Sequence, residues 1–572
     1  MGHLDPFAQA FHAHYSADPN ARVFLGLSED LDRLPDPSLE AASQRMERAR
    51  TLLRELQTLE SRNLDFDERL DARLARLKLE REIHDDSYVF NGQTRLAQLP
   101  TAGDSIGDGI FLMFVNDPRP ELERLADIHA RIARVPGFLT AMLGRLNQPV
   151  RRWTRVDIDK CSALPELFDT LLSWGRELNY EELARLQADI GSANSALAQY
   201  GRDLALLPTV DNIHLGEETM REILHRRGIV KSPSELREIA REFLRETAET
   251  VETLRDKLVR KHGLPESTSP AELHRWLNER FRLQVDGDFH LVLQAYERER
   301  EAVLRFCEDR ELFPIFRDQS IQILKTPAFM APSIPAGAMM PPPAFRRGTA
   351  TSLVYLTLSE ELLDEHTRLT IPNMMIHEGT PGHHLQYAWV SRHPSVIRRH
   401  SDCRDHAEGW TTMLEDYMLD LGYAAEMADE VRFCAKRDIS RLGARVAIDL
   451  FFMSGDRKYL DVGVDCELNS EDPFVAASNL LVAVTGFVPG RAQAELNWYS
   501  IERAYPLSYL TGNRAVWELK NRLREANRGK LEGLALDRKF HEIYLKEGSV
   551  PVSFLDELFA HHGLLGAGPS LS

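Results

Sequence analysis

The sequence predicts a mainly α protein: a large helical body with a small β-sheet next to the helix that bears its candidate metal site. Three observations carry that prediction. Apolar residues recur three and four apart from the N-terminus to about residue 310, the spacing of amphipathic helices. A proline-rich stretch then leads into Thr349 to Leu358, a β-branched and aromatic run that reads as a strand. Just beyond it, three imidazoles and a carboxylate (His377, Glu378, His383, His384) surround a Pro-Gly break.

Taken in order, the helical pattern covers Leu39 to Leu59 and Leu70 to Ile83, then 120–146, 165–174, 178–206, 233–262 and 270–281. Breaks are expected at Pro35 to Pro37, Pro118 to Pro120, Pro149 and Pro265 to Pro270. Charged strings within these helices read as solvated faces. Leu215-Gly216-Glu217-Glu218 opens a short helix through Leu224 that either leans over a cleft or is simply a helix start. Pro327, Pro332, Pro335 and Pro341 to Pro343 bar a long helix between Thr326 and Leu358. The organisation expected is a helical region over 1–325 and a catalytic, metal-bearing region over 326–572, packed as one continuous body. The strand there is either a structural hairpin or an exposed edge that holds an extended peptide, with Tyr355 as a substrate contact.

Chain-wide properties exclude several function classes. A net charge of −18 in 572 residues argues against a general phosphate-backbone binder, so no nucleic acid partner is expected. No run approaches about 18 uninterrupted apolar residues, which argues against a membrane span. The N-terminus lacks a basic stretch followed by an apolar run, and the five scattered cysteines lack CxxC spacing. Both features lead to an expectation of reduced thiols in a cytoplasmic protein. Oligomeric state has no sequence signal here.

Chemistry concentrates in Ile376 to Gln386, IHEGTPGHHLQ. Neutral imidazole is the commonest protein ligand for zinc, and a carboxylate beside the first ligand is placed to take a proton from an activated water. The usual His-Glu-x-x-His spacing sets both imidazoles on one helix face. Here the second imidazole comes late. On a regular helix His377 and His384 would lie roughly 10 Å apart along the axis, whereas two nitrogens on one zinc must lie within about 4 Å. Pro381 lacks the N–H that would bond the carbonyl of His377, and a widened turn that absorbs two residues would bring His383 into register. His377 and His383 are therefore the favoured ligands, with His384 as a supporting hydrogen-bond donor or the alternative ligand.

Glu408, 25 positions past His383, lies far enough along for a second helix to return beside the first and complete a two-His, one-carboxylate site. Asp405 and Glu415 compete for that role. Arg437, Arg441, Arg445 and Asp449 recur four apart, as a structural ladder or with one member, Arg445 in the first instance, gripping a substrate carboxylate. Arg503, Tyr505 and Tyr509 flank a Pro-induced break; either phenol can donate to a developing oxyanion, and Arg503 is a further substrate-contact candidate.

HEGTPGHHLQ (377–386), AEGW (407–410), YPLSYLTG (505–512) and, more weakly, HLGEETMREIL (214–224) resemble the bacterial "domain of unknown function 885" family. That family is grouped with gluzincin-type zinc metallopeptidases, whose carboxypeptidase Taq and angiotensin-converting-enzyme relatives are largely helical with a long internal cleft. The resemblance implies His377 and a later histidine as ligands, Glu378 as general base, Glu408 as third ligand and Tyr505 or Tyr509 at the oxyanion. AYPLSYLTGN is similar to FPTYxLGN of the carboxypeptidase Taq family. The stretched histidine spacing departs from the relatives' HExxH.

The expected function is a Zn2+-dependent metallopeptidase acting on short peptides, carboxypeptidase- or dipeptidase-like. Alternatives are a non-haem iron enzyme using the same ligands, which has no need of Glu378, and an inactive peptide-binding protein.

Overall fold

The computed structural model describes residues 3–566 apart from Pro335. The first two residues of the N-terminal reading and Pro335 among the helix-barring prolines fall outside them. Helices form where the periodicity places them: Leu39–Glu60, Phe66–Ser87, Glu121–Arg145, Leu183–Leu206, Pro233–His262 and Pro270–Phe281. Their starts carry side-chain caps. Asp65 with Glu68, Ser232 with Glu235 and Ser269 with Glu272 each satisfy the N-terminal N–H groups reciprocally. The largest extension beyond a predicted span is at the 165–174 segment, which belongs to Arg151–Glu177, a helix that runs through Pro165. An unbroken buried stripe (Trp153, Val156, Leu164, Phe168, Leu171) continues across that position, and its packing outweighs a proline penalty of about 3 kcal/mol.

The proline-rich stretch forms a three-stranded sheet. Ala350–Leu356 is its centre, parallel to Gln319–Lys325 on one side and antiparallel to Gly337–Met340 on the other. The predicted strand is therefore interior, and the edge beside the candidate site is Gly337–Met340.

Apolar packing crosses residue 325 freely. One core unites Phe7, Leu79, Val303, Val354, Met375, Trp410 and Phe540. Another joins Trp153 and Met220 to Ile448, Tyr499 and Leu510. The N-terminal helices thus form walls against which the site-bearing helices are set. All five cysteines are free, and no helix among the described residues is long and apolar enough to cross a membrane.

Candidate metal centre

The spacing problem is solved by a break rather than a widened turn. Helix Ile371–Glu378 ends on the first imidazole and its neighbouring carboxylate, and helix His383–Arg392 begins on the second imidazole. The tetrapeptide between them, with a cis Thr380–Pro381 bond, folds back tightly on the first helix. A Cβ at Gly382 would sit 2.0 Å from the carbonyl oxygen of His377 and 2.3 Å from that of Ile376, so only glycine fits. Trp410 Nε1 donates to the carbonyl of Pro381 at 2.9 Å and pins the loop from the opposite helix. The two imidazoles meet edge to face, ring centroids 4.9 Å apart at 86°.

Helix Arg404–Asp420 supplies the carboxylates. Glu408 Oε2 lies 3.6 Å from His377 Nε2 and 3.3 Å from His383 Nε2. Donor atoms about 2.1 Å from a tetrahedral zinc are about 3.4 Å apart. Glu408 Oε2 is buried and has no hydrogen-bond partner, and a donor set of two imidazoles and a carboxylate suits Zn2+. These residues fit a cation. One turn pair further along the same helix, Glu415 Oε1 is 2.8 Å from His377 Nδ1, fixing the ring so that Nε2 faces Glu408. Glu378 completes the cluster: one donor atom from each of His377, Glu378 and His383 lies within 4.8 Å of the others.

Burial disfavours charge on His377, yet Glu408 and Glu415 outweigh it and raise its pKa to about 10. Burial likewise disfavours the Glu408 carboxylate, but His383 and His377 hold it well below the usual range.

Tyr505 donates to Glu408 Oε1 at 3.1 Å, and Tyr509 stacks on Tyr505 with centroids 5.8 Å apart. Burial raises both phenols, which therefore keep their protons. Their placement depends on a close helix crossing. A Cβ at Gly409 would be 2.6 Å from the backbone of Gly512, and one at Gly512 would be 2.0 Å from the carbonyl of Asp405. Two glycines in the AEGW and YPLSYLTG stretches let Arg404–Asp420 and Ser508–Ala526 touch backbone to backbone.

Two cavity lobes meet at this cluster and share Gly337, His377, Glu378 and Tyr509. The larger, about 630 Å³, is also lined by His383, Glu408, Tyr505 and the edge strand Gly337–Met340. The smaller, about 150 Å³, runs past Glu415 to Arg437, Arg441, Arg445 and Arg491.

The pattern of bacterial proteins of unknown function named DUF885 matches residues 19–558. The chain belongs to the DUF885 family. Two solved structures share the fold of this DUF885 chain. A candidate lipoprotein of unknown function from Shewanella oneidensis is 17% identical with a TM-score of 0.72, over 97% of this chain and 99% of that one. A candidate lipoprotein from Colwellia psychrerythraea is 14% identical with a TM-score of 0.77, over 99% of both. A 180-residue stretch, 30% of the chain, is 26% identical to sorting nexin-30 of Xenopus tropicalis and spans 40% of that protein's length.

Of the residues singled out in the sequence, His377, Glu378, His383, Glu408, Tyr505 and Tyr509 come together in this DUF885 chain, and Arg445 lines the smaller lobe. Three do not join them. His384 points the other way and pairs through Nδ1 with Ser352 Oγ at 2.7 Å, because consecutive residues at a helix start project from different sides. Burial lowers its pKa to about 3, so it is a neutral strut between helix and sheet. Tyr355 is 1% exposed and packs on Phe111 with centroids 5.9 Å apart; its strand is interior, so the ring enters the core instead of the cavity. Arg503 is buried beside Trp153 and donates to the carbonyl of Ile213 at 2.7 Å, tying the loop before the short 217–226 helix in place. The 214–224 stretch lines neither lobe. Its helix, Glu217–Arg226, packs on Arg441–Ser454.

Two features escaped sequence reasoning. The edge strand Gly337–Met340 was hidden by its small size and flanking prolines; the only signal is a Gly-Ala-Met-Met run between breakers. Asp449, read only as a ladder rung, accepts the N–H groups of Ala504 and Leu507 at 3.2 Å each and so holds the turn that aims Tyr505. Burial raises its pKa to about 7.

Proposed function

We propose that this DUF885 protein is a zinc-dependent peptidase that hydrolyses short peptides. One observation carries the reading: a buried Glu408 oxygen that accepts no hydrogen bond lies at zinc-ligand separation from Nε2 of both His377 and His383. His377, His383 and Glu408 would hold the ion. A zinc ion there supplies Lewis acidity and lowers the pKa of a water from 15.7 towards 7.

The chain's own groups then have distinct tasks. Glu378 lines both lobes and is the carboxylate free to accept a proton and return it to the leaving amine. Tyr505 holds Glu408 through its hydroxyl, which leaves Tyr509, open to both lobes, as the donor for an oxyanion. The main chain of Gly337–Met340 presents a free sheet edge to an extended peptide. The same reading places the protein in the gluzincin group, near the carboxypeptidase Taq and angiotensin-converting-enzyme families. It also keeps a cytoplasmic setting, which five free cysteines suit.

The test pairs metal analysis of protein purified without added metal with hydrolysis of a short-peptide library by the wild type and Glu378→Gln. Stoichiometric zinc and a rate lower by about 10²–10⁴-fold in the variant, with zinc retained, are expected. Equal rates would remove Glu378 as base. Stoichiometric iron would favour the oxygenase reading, and normal folding without any divalent metal would favour a binding protein.

A further inference from the structure

The smaller lobe has a chemistry that the metal cluster does not require. Four guanidinium groups line it, from Arg437, Arg441, Arg445 and Arg491, alongside the carboxylates of Asp364, Glu365, Glu378, Glu415, Asp438 and Glu495, and the ion pairs among them leave some guanidinium donors unused. Arg445 pairs with Glu495 at 2.8 Å, donates to Tyr499 at 2.7 Å and lies 4.3 Å from the centre of the Tyr509 ring. Its Nη1 is nevertheless buried without a partner. Arg491 binds Glu365 and Asp438, yet its Nε is also buried and unpartnered. Arg441 shares that same Asp438. Among the described residues no carboxylate pairs with Arg437, whose Nη2 donates only to the carbonyl of Thr485 at 3.3 Å. Arg437 and Arg441 are half-buried, so their remaining donors open on the lobe.

The unpartnered atoms of Arg445 and Arg491 are sealed from the lobe, so the donors within a ligand's reach are those of Arg437 and Arg441, and a planar fork of N–H groups matches a carboxylate in two parallel hydrogen bonds. The lobe reaches the proposed reaction centre directly, through His377, Glu378 and Tyr509. Its volume of about 150 Å³ is roughly a quarter of that of the larger lobe, so it admits one or two residues where the other admits a longer segment.

We propose that the smaller lobe is a carboxylate-binding subsite, and that Arg437 and Arg441 hold the free C-terminus of a peptide whose upstream residues lie in the larger lobe. This rests on the peptidase reading and adds a direction to it. The amide bond at the junction breaks at C–N; water contributes its hydroxyl to the new carboxylate of the retained chain and its proton to the amino group of the released C-terminal residue or dipeptide. A carboxylate can also come from an acidic side chain, and the experiment separates the two sources.

Binding of trialanine, trialanine amide and Ala-Ala-Glu amide is measured by titration calorimetry on full-length Glu378→Gln protein as purified. The same measurements follow in that background with Arg437→Gln or Arg441→Gln, each checked for an unchanged melting temperature. Trialanine is expected to bind at least 10-fold more tightly than either amide, with the difference falling to about twofold or less in each arginine variant. Equal binding of trialanine and its amide overturns the subsite, as does discrimination that survives in both well-folded arginine variants. Tight binding of Ala-Ala-Glu amide beside weak trialanine amide moves the carboxylate to a side chain and overturns C-terminal trimming. Discrimination without hydrolysis of any peptide by the wild type refutes the peptidase and leaves the subsite standing. Equal hydrolysis of acid and amide does the reverse.

Discussion

Helices Pro233–His262 and Arg404–Asp420 are both rich in charge, but they use it in opposite ways. In the first, charged residues face water: Arg245 and Glu249 form a pair whose side chains are 61% and 66% exposed. Such pairs contribute little, about 0.3–0.5 kcal/mol. In the second, Asp405, His406, Glu408 and Glu415 are all buried. Burying an unpaired charge is costly, so each of them needs a partner. Asp405 accepts the N–H of Val552, His406 bonds Gln386, Glu408 takes Tyr505, and Glu415 takes His377. A helix that buries four ionisable groups within seventeen residues sets each against a partner inside the protein, whereas a helix that exposes them leaves them to solvent.

Replacing Glu408 by Ala is expected to have the largest effect. On the proposed zinc reading, in which Glu408 is a direct ligand, its loss should weaken zinc binding by more than the roughly 100-fold typical of a supporting residue, with hydrolysis lost alongside it; competition with a chelator measures the first. Next comes Glu415→Gln, which keeps a hydrogen-bonding shape beside His377 and removes the charge. Zinc affinity should fall about 10- to 100-fold with little change in fold, a result that would place Glu415 among the groups tuning the site. If affinity does not move, the pairing with His377 is only structural.

Glycine substitutions sharpen the contrast between the two regions further. Gly512→Ala sets a methyl against the carbonyl of Asp405, and a loss of about 1–3 kcal/mol in stability is expected from denaturant melts. Gly191→Ala lies on the exposed face of Leu183–Leu206, where nothing stands within 4 Å, and should stabilise by up to about 1 kcal/mol. The smallest change belongs to Arg245→Ala, within about 0.5 kcal/mol.

Much of the scaffold was legible because its signals are local. Apolar spacing and proline breaks place the long helices, and the cluster of His377, Glu378 and His383 announces itself by composition. The errors have physical causes. The reading that starts a helix at Pro165 is too short because the buried stripe from Trp153 to Leu171, which carries the helix through that proline, is set by packing and not by local sequence. Tyr355 fails as a substrate contact because strand order depends on the partners on either side, which Ala350–Leu356 does not encode. His383 and His384 were inseparable by residue type; only the break at Gly379 to Gly382 aims one at Glu408 and the other at Ser352.

The sequence by itself determined which donors exist, the helices that carry them and the proline that forbids an ordinary motif, since each follows from one residue's backbone chemistry or from short-range periodicity. Tertiary structure alone decided which donors converge. Glycine contacts between distant helices, a tryptophan clamp on the loop and burial without solvent bring residues 377, 383, 408 and 505 within a few ångströms, and those contacts depend on chain segments far apart in sequence.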